Sequence, residues 1–118
     1  MFTNKVSLAE ASQKLSQHPE EFISLFRRSN LEVELYKPHL VDKQTPHDRD
    51  EAYIIASGNA TFELEGNVTE VETGDFLFVP AHAAHKFTRF SEDFSTWVLF
   101  FLKLWKKIKK NCDLVFDL

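Results

Sequence analysis

Residues 58–80 have the sequence GNATFELEGNVTEVETGDFLFVP, and this stretch decides the fold. Apolar and polar residues alternate on both sides of Gly66, as expected for strands with one buried face. The three glycines of the chain are at positions 58, 66 and 74, and glycine tolerates the positive φ angles of tight reversals. Gly66 and Asn67 are predicted to form the two-residue turn of a hairpin. The stretch therefore predicts short strands joined by tight turns.

The strand pattern continues on both sides of this stretch. Leu31, Val33 and Leu35 alternate with glutamates, which predicts a half-buried strand. The segment 95–101 is apolar on both faces, so we expect one face against the barrel interior and the other against a second layer or a partner subunit. Many short strands at close spacing favour an all-β sandwich or barrel. The further predicted strands are 51–56, 60–65, 68–73, 75–80, 85–90 and 95–101.

The two ends of the chain differ from this pattern. Ser7 and Glu10 have the spacing of a capping box, which predicts a short N-terminal helix. An apolar stripe predicts a second helical turn between Glu20 and Arg28. The C-terminal lysines are either one face of a basic amphipathic segment for an anionic surface or, as we favour, the solvated face of a tail. The predicted organisation is a helical segment (1–30) packed on a barrel (31–102), then a basic tail (103–118) with apolar residues at helical spacing.

Composition limits the class of protein. With 118 residues, the chain suits one domain, and twelve phenylalanines indicate an aromatic-rich interior. A net charge of −4 argues against general nucleic-acid binding. The lone Cys112 fits a reducing compartment, because it cannot form an internal disulfide. No leader pattern and no apolar stretch of membrane-span length is apparent. We expect a cytoplasmic protein without a nucleic-acid or membrane partner.

Two histidines and a glutamate form a candidate metal site. They occur in the patterns His47-x3-Glu51-x6-Gly58 and Gly74-x5-Pro80-x4-His85. Two neutral imidazoles and one carboxylate can occupy one face of a transition metal and leave the opposite positions open. His47 and Glu51 share strand parity, so both would project to the same side of an extended chain. His85 would then come from a later strand.

Ordinary structural roles are the alternative for each of these residues. His47 and His85 could be polar residues hydrogen-bonded to backbone near a barrel mouth, since a lone histidine is more often structural than ligating. Glu51 could form a salt bridge with Arg49 or Arg89. The framed spacing of all three residues favours metal ligation over these alternatives.

Five further residues are candidates for a substrate pocket. Arg49 and Arg89 share strand parity with the proposed ligands, so each could offer a donor fork to an anionic oxygen group or lie at the rim instead. Tyr53 and Phe87 have the same parity and would line a narrow pocket for a small molecule. His82 could be a fourth ligand, a proton carrier or, as we favour, a loop side chain. No acidic residue of matching parity stands out as a general base.

The two motifs resemble those of the cupins, which are small jelly-roll barrels. In that family the first motif ends in His-x3-Glu-x6-Gly and the second is Gly-x5-Pro-x-Gly-x2-His-x3-Asn. The resemblance covers roughly positions 31–101, and it matches His47, Glu51 and His85 to family ligands. This chain departs from the family pattern at three positions, where it has Thr45 for the first histidine, His82 for a glycine and Arg89 for the asparagine.

The resemblance implies a fold, a cofactor and a partner. The fold is a cupin-type jelly-roll β-barrel, and small cupins are usually homodimers. The retained residues imply a three-ligand site for a divalent transition metal. Iron, manganese, nickel and zinc all suit two histidines and a carboxylate.

Three functions are compatible with this interpretation. The first is a metal-dependent enzyme, such as a dioxygenase or isomerase, that acts on a small polar or carboxylate-bearing molecule. The second is a binding or sensing module that captures a small ligand without breaking a bond. The third is a metal-free structural barrel. The cupin scaffold supports all three, so the fold alone does not choose among them.

Overall fold

The computed structural model describes residues 4–101, which form one helix and eight strands. All strand pairs are antiparallel, in a five-stranded sheet of order β1-β2-β8-β3-β6 and a three-stranded sheet of order β5-β4-β7. The all-β class with a short N-terminal helix is confirmed, while the basic tail predicted for 103–118 lies outside the described residues. The elements are α1 (Leu8–Ser16), β1 (Phe22–Arg28), β2 (Leu31–Tyr36), β3 (Asp50–Ser57), β4 (Asn59–Leu64), β5 (Asn67–Glu72), β6 (Phe76–Val79), β7 (His85–Phe90) and β8 (Ser95–Phe101).

Helix α1 begins at the predicted capping box. The Ser7 hydroxyl accepts a hydrogen bond from the Glu10 backbone N–H, and the Glu10 carboxylate accepts one from the Ser7 backbone N–H. Two donors at the helix N-terminus are thereby satisfied. Ala11 and Leu15 are buried against Leu35, on the outer face of the larger sheet. The helix covers this end of the sheet.

The helical turn predicted between Glu20 and Arg28 is wrong. Phe22–Arg28 is strand β1, which pairs with β2 from Phe22 opposite Tyr36 to Arg28 opposite Leu31. A bulge between Ser24 and Phe26 shifts the register of this pairing. A short isolated helix is marginal in water, so the hydrogen bonds offered by the edge of β2 outweigh the helical spacing of the apolar residues.

The hairpin between β4 and β5 is confirmed, but its turn lies one residue earlier than predicted. Leu64 pairs with Asn67, so the turn residues are Glu65 and Gly66. Their φ angles are 49° and 85°. Positive φ at both central positions is the geometry that matches the twist of the flanking strands. Gly66 therefore takes the second position of the turn, and Asn67 begins β5.

Aromatic rings fill the space between the two sheets. Phe87 of β7 lies near the centre of the cluster, with ring centroids 4.9 Å from Phe62, 5.3 Å from Tyr53 and 4.8 Å from Phe94. All four residues are fully or almost fully buried. Tilted and edge-on rings at such distances add to the stabilisation from apolar burial. The predicted aromatic-rich interior is confirmed.

The described residues 4–101 include no helix long and apolar enough to cross a membrane.

Gly58 should be far less tolerant of substitution than Gly66. A Cβ at Gly58, whose φ is 74°, would overlap with Ser91 Oγ and lie 2.8 Å from Phe94 Cα. We expect Gly58→Ala to lower the free energy of unfolding by about 3 kcal/mol, through left-handed backbone strain and overpacking together.

Gly66→Ala is the matched control, because its φ is 85° but a Cβ at this position would have no heavy atom within 4 Å among the described residues. It should cost about 1 kcal/mol from backbone strain alone. Urea denaturation of both variants measures the difference, and equal losses would contradict the packing argument.

Candidate metal centre

His47, Glu51 and His85 converge between the two sheets. His47 lies in the segment before β3, Glu51 lies in β3, and His85 is the first residue of β7. Glu51 Oε2 is 3.5 Å from His47 Nε2 and 3.3 Å from His85 Nε2. Each residue offers one potential ligand atom, and these three atoms all lie within 4.8 Å of one another. The fold therefore brings together the three side chains that the motif spacing identified.

The polar atoms of this group are buried without compensation. Within the described residues, His47 Nε2, His85 Nε2 and both Glu51 oxygens have no hydrogen-bond partner. The two His–Glu distances are also longer than the 2.7–2.9 Å of a good charge-assisted hydrogen bond. Buried polar atoms without partners are costly. A divalent cation coordinated by these atoms would satisfy all three side chains, so the residues present fit a metal.

The orientation of His85 favours this role. His85 Nδ1 lies 2.9 Å from the Ala83 carbonyl oxygen. A carbonyl can only accept, so Nδ1 carries a proton, and in the neutral imidazole the free lone pair is on Nε2, on the side of Glu51. A histidine whose second nitrogen is fixed by a carbonyl is the usual form of a metal-binding imidazole.

Burial and nearby charge shift the pKa values of the two histidines in opposite directions. Burial lowers the pKa of His47 below its ordinary value, and the nearby Glu51 carboxylate offsets this only in part. Burial also acts to lower the pKa of His85, but Glu51 and the Ala83 carbonyl raise it above its ordinary value. His47 is therefore neutral at neutral pH, which is the form that binds a metal. His85 holds its proton more tightly, so binding a metal at Nε2 must displace any proton there.

A buried carboxylate fixes the segment that carries His47. Asp42 accepts hydrogen bonds from the Tyr36 hydroxyl at 2.6 Å and the Phe87 backbone N–H at 2.7 Å. It also accepts from the backbone N–H and the side-chain amide of Gln44, at 3.0 and 2.9 Å. Gln44 in turn accepts from the Tyr53 hydroxyl at 2.9 Å. These bonds tie the segment to β2, β3 and β7, and no motif in the sequence marks Asp42 for this role.

Backbone contacts join the two motifs directly. The His82 backbone N–H donates to the His47 carbonyl at 2.6 Å, and the Ala81 N–H donates to the Asp50 carboxylate at 2.8 Å. His82 has a positive φ of 71° and an exposed side chain. It therefore contributes through its backbone, and its side chain belongs to the loop, as we favoured. The contacts hold the β6–β7 loop against His47.

A cavity of about 690 Å³ opens beside His47. Arg49 forms part of its wall, with its guanidinium 3.1 Å from Glu32 and 4.2 Å from the centre of the Phe100 ring. Glu32 also accepts from Arg27 at 2.9 Å. The volume suits a small ligand. Its lining includes Arg27, Glu32, Glu34, His47, Arg49 and Phe100.

The glutamates of β2 face this cavity, which the alternation alone did not reveal. Glu32 is 4% exposed, and Glu34 is half-buried. Leu35 of the same strand points the other way and packs under α1. Apolar and polar residues alternate in β2 as predicted, but the polar face of the strand lines the cavity.

Three of the predicted pocket residues lie elsewhere. Arg89 is exposed and lies 3.6 Å from Glu70, on the outside of the smaller sheet. A bulge pairs Thr61 with Arg89 but Phe62 with Phe87, so the side-chain alternation of β7 reverses after Phe87. Tyr53 and Phe87 are buried in the aromatic core and are not among the residues that line the cavity. Arg89 is therefore not a cavity residue, while the pocket roles of Tyr53 and Phe87 stay predictions.

The fold and this site define the class of the protein. The cupin-domain family model matches residues 32–100, so the chain belongs to the cupin family. The fold is the predicted cupin-type β-barrel, and solved cupin structures share it.

Individual proteins are similar to this chain in sequence or in structure. An uncharacterized protein of Streptomyces coelicolor is 34% identical over 95 residues, which cover 79% of this chain and 90% of that protein. The DMSP lyase DddQ of Ruegeria pomeroyi has a TM-score of 0.61 at 23% identity, covering 70% of this chain and 47% of that one. A candidate mannose-6-phosphate isomerase of Ralstonia eutropha has a TM-score of 0.57 at 26% identity, covering 72% and 87%. The structural neighbours thus include a lyase and an isomerase candidate.

Replacing Asp42 should destabilise the fold. Asp42→Asn places an amide donor among groups that already donate to Asp42, and it removes the charge that strengthens their hydrogen bonds. We expect a loss of about 3 kcal/mol in the free energy of unfolding. Asp48→Asn makes the same change at an exposed position of the same segment and should stay within about 0.5 kcal/mol of the wild type. Chemical denaturation would contradict the role of Asp42 if the two variants unfolded alike.

Proposed function

We propose that this cupin binds a divalent transition metal through His47, Glu51 and His85 and acts on a small carboxylate-bearing molecule as a metal-dependent dioxygenase or isomerase. The observation that carries the proposal is the set of four buried ligand atoms that converge between the sheets with no hydrogen-bond partner among residues 4–101. Iron, manganese, nickel and zinc all suit this donor set. The metal would supply Lewis acidity, or oxygen activation if it is iron.

The residues of the chain would divide the remaining work. His85 and Glu51 are buried, so they would hold the metal away from bulk water, while the partly exposed His47 borders the cavity. Arg49 would orient the ligand, because its guanidinium has donors beyond the one that binds Glu32. Phe100 packs against both His47 and Arg49 and would keep their relative positions fixed.

The isomerase candidate of Ralstonia eutropha, at 26% identity, supports an enzyme more than a structural barrel. The lyase of Ruegeria pomeroyi and the isomerase candidate of Ralstonia eutropha share this fold. At 23% identity the lyase supports the scaffold alone, so its substrate is not carried over. The alternative is a binding or sensing module with the same cavity and no turnover. Product formation from small hydroxy acids, sugars or enols by the metal-loaded protein would separate the two.

A homodimeric assembly and a cytoplasmic location stay predictions. A homodimer has a candidate surface in Ile54, Phe76 and Phe78, which are exposed on neighbouring positions of β3 and β6. Large apolar side chains clustered on one face are typical of an interface. A cytoplasmic location still rests on the single cysteine of the sequence.

Elemental analysis of protein purified without chelator tests the metal site. We expect about one ion per chain in the wild type, and loss of the ion in Glu51→Ala and His85→Ala, because each variant removes a ligand. His82→Ala is the matched control, since it removes an exposed histidine three residues from His85 and should retain the ion. Circular dichroism confirms that each variant is folded. A wild type that stays empty after reconstitution with iron, manganese, nickel and zinc would reject the proposal.

Arg49 should contribute to anion binding, and Arg89 should not. Calorimetry with acetate and the metal-loaded protein is expected to show about tenfold weaker binding for Arg49→Ala, from loss of one charge-assisted contact. Arg89→Ala removes the same charge from the outer surface and should bind acetate like the wild type. Equal affinities in the two variants would exclude Arg49 from the ligand site.

A further inference from the structure

Glu34 lies in the cavity wall close to the metal centre. It belongs to β2, opposite Val98 of β8, and both residues line the cavity. Val98 also pairs with Tyr53 of β3, so β8 separates Glu34 from the strand that carries Glu51. Adjacent strands are about 4.8 Å apart, so β2 and β3, with β8 between them, are about 10 Å apart. This separation leaves room for a small molecule between Glu34 and the metal centre. Within the described residues, no hydrogen bond to the Glu34 carboxyl group is found.

The surroundings of Glu34 and Glu32 differ, so the two carboxyl groups differ in protonation. Glu32 accepts hydrogen bonds from Ser24, Arg27 and Arg49, so its charge is compensated. Burial raises the pKa of Glu34 to about 7, and the Glu32 and Glu51 carboxylates act in the same direction. Arg49 and Arg27 oppose this shift. Glu34 therefore populates both the acid and the carboxylate near neutral pH.

The cavity suits an anion once the metal is bound and Glu34 is protonated. The acidic groups in and beside the cavity are Glu20, Glu21, Glu32, Glu34 and Glu51, and the basic groups are Arg27, Lys43 and Arg49, which leaves two net negative charges. A divalent ion at the metal centre would bring this sum to zero. Protonation of Glu34 would then leave one net positive charge. The polar lining also includes Tyr36, Lys43, Gln44 and Thr45, which suits hydroxyl groups on a ligand.

We propose that Glu34 binds the hydroxyl end of a small hydroxycarboxylic acid whose carboxylate is held at the metal centre and Arg49, and that Glu34 takes up a proton when this ligand binds. The inference rests on the proposed function and narrows its substrate class. The acid form of Glu34 can donate to one ligand oxygen and accept from a hydroxyl. An arriving carboxylate disfavours a second negative charge beside it, so ligand binding and proton uptake are coupled.

Calorimetry with glycerate and propionate tests this proposal on the zinc-loaded protein. Both probes carry one carboxylate on three carbons, but only glycerate has hydroxyl groups. At pH 6 the wild type should bind glycerate about tenfold more tightly than propionate. Its glycerate affinity should fall about tenfold between pH 6 and pH 8, because binding requires the protonated form of Glu34. At pH 7, titrations in two buffers of different ionisation enthalpy should show net proton uptake.

Two substitutions of Glu34 separate the hydrogen bond from the titration. Glu34→Gln keeps a donor and an acceptor, so it should retain the preference for glycerate but lose the proton uptake and the additional pH dependence. Glu34→Ala removes the contact and should bind the two probes with similar affinity. Glu70→Gln changes the same charge at an exposed position of β5 and should behave like the wild type. If Glu34→Ala fails to fold, Glu34→Gln still tests the proton coupling.

The outcomes distinguish this inference from the metal proposal. Elemental analysis precedes the titrations, so an absent metal rejects the proposed function itself. With the metal present, parallel pH profiles for the wild type and Glu34→Gln would overturn the proton coupling. An equal preference for glycerate in the wild type and Glu34→Ala would overturn the hydroxyl contact. Failure of glycerate to bind the metal-loaded protein would overturn the ligand class.

Discussion

The buried carboxylate of Asp42 is the constraint on which the site depends. Residues 37–49 contain no long strand or helix, so their backbone cannot be held by regular pairing alone. Asp42 substitutes for that pairing by collecting donors from Tyr36, Phe87 and Gln44. A buried charge is tolerated only with such partners. The satisfied network sets the path of the chain to His47, and so determines one of the three ligand positions.

The metal centre then follows from the packing of two sheets. Glu51 belongs to the five-stranded sheet and His85 to the three-stranded sheet, so their approach depends on the aromatic core that holds the sheets together. The rings of Phe62 and Tyr53 lie beside His85, and the Tyr53 hydroxyl also joins the Asp42 network through Gln44. Rigid rings in contact leave little freedom to the imidazole. The geometry of the ligands is thus prepared before any metal arrives.

Much of this arrangement was predictable from the sequence, and the exceptions have physical causes. Turn residues and alternation predict every described strand except β1, and the motif spacing identifies His47, Glu51 and His85. The alternation of side chains along a strand defines two faces, but it does not show which face lines a cavity. The sequence therefore does not predict that Glu34 points into the cavity. Arg89 was misplaced because a bulge reverses the alternation of β7, and no local pattern marks it. No local pattern marks Asp42, because one of its hydrogen-bond partners, Phe87, is distant in sequence.

Burial of Glu34 in the cavity wall makes the stability of the fold depend on pH. Its pKa is raised above the value of 4.5 that the group has when exposed, so the unfolded chain releases this proton at lower pH than the folded chain does. The contribution of Glu34 to stability is therefore complete below pH 4.5 and declines as the pH rises toward 7. A metal at the neighbouring centre would add positive charge and favour the carboxylate. A bound carboxylate ligand would act in the opposite direction. The protonation of Glu34 thus reflects both occupants of the cavity, which is how one carboxyl group can couple them.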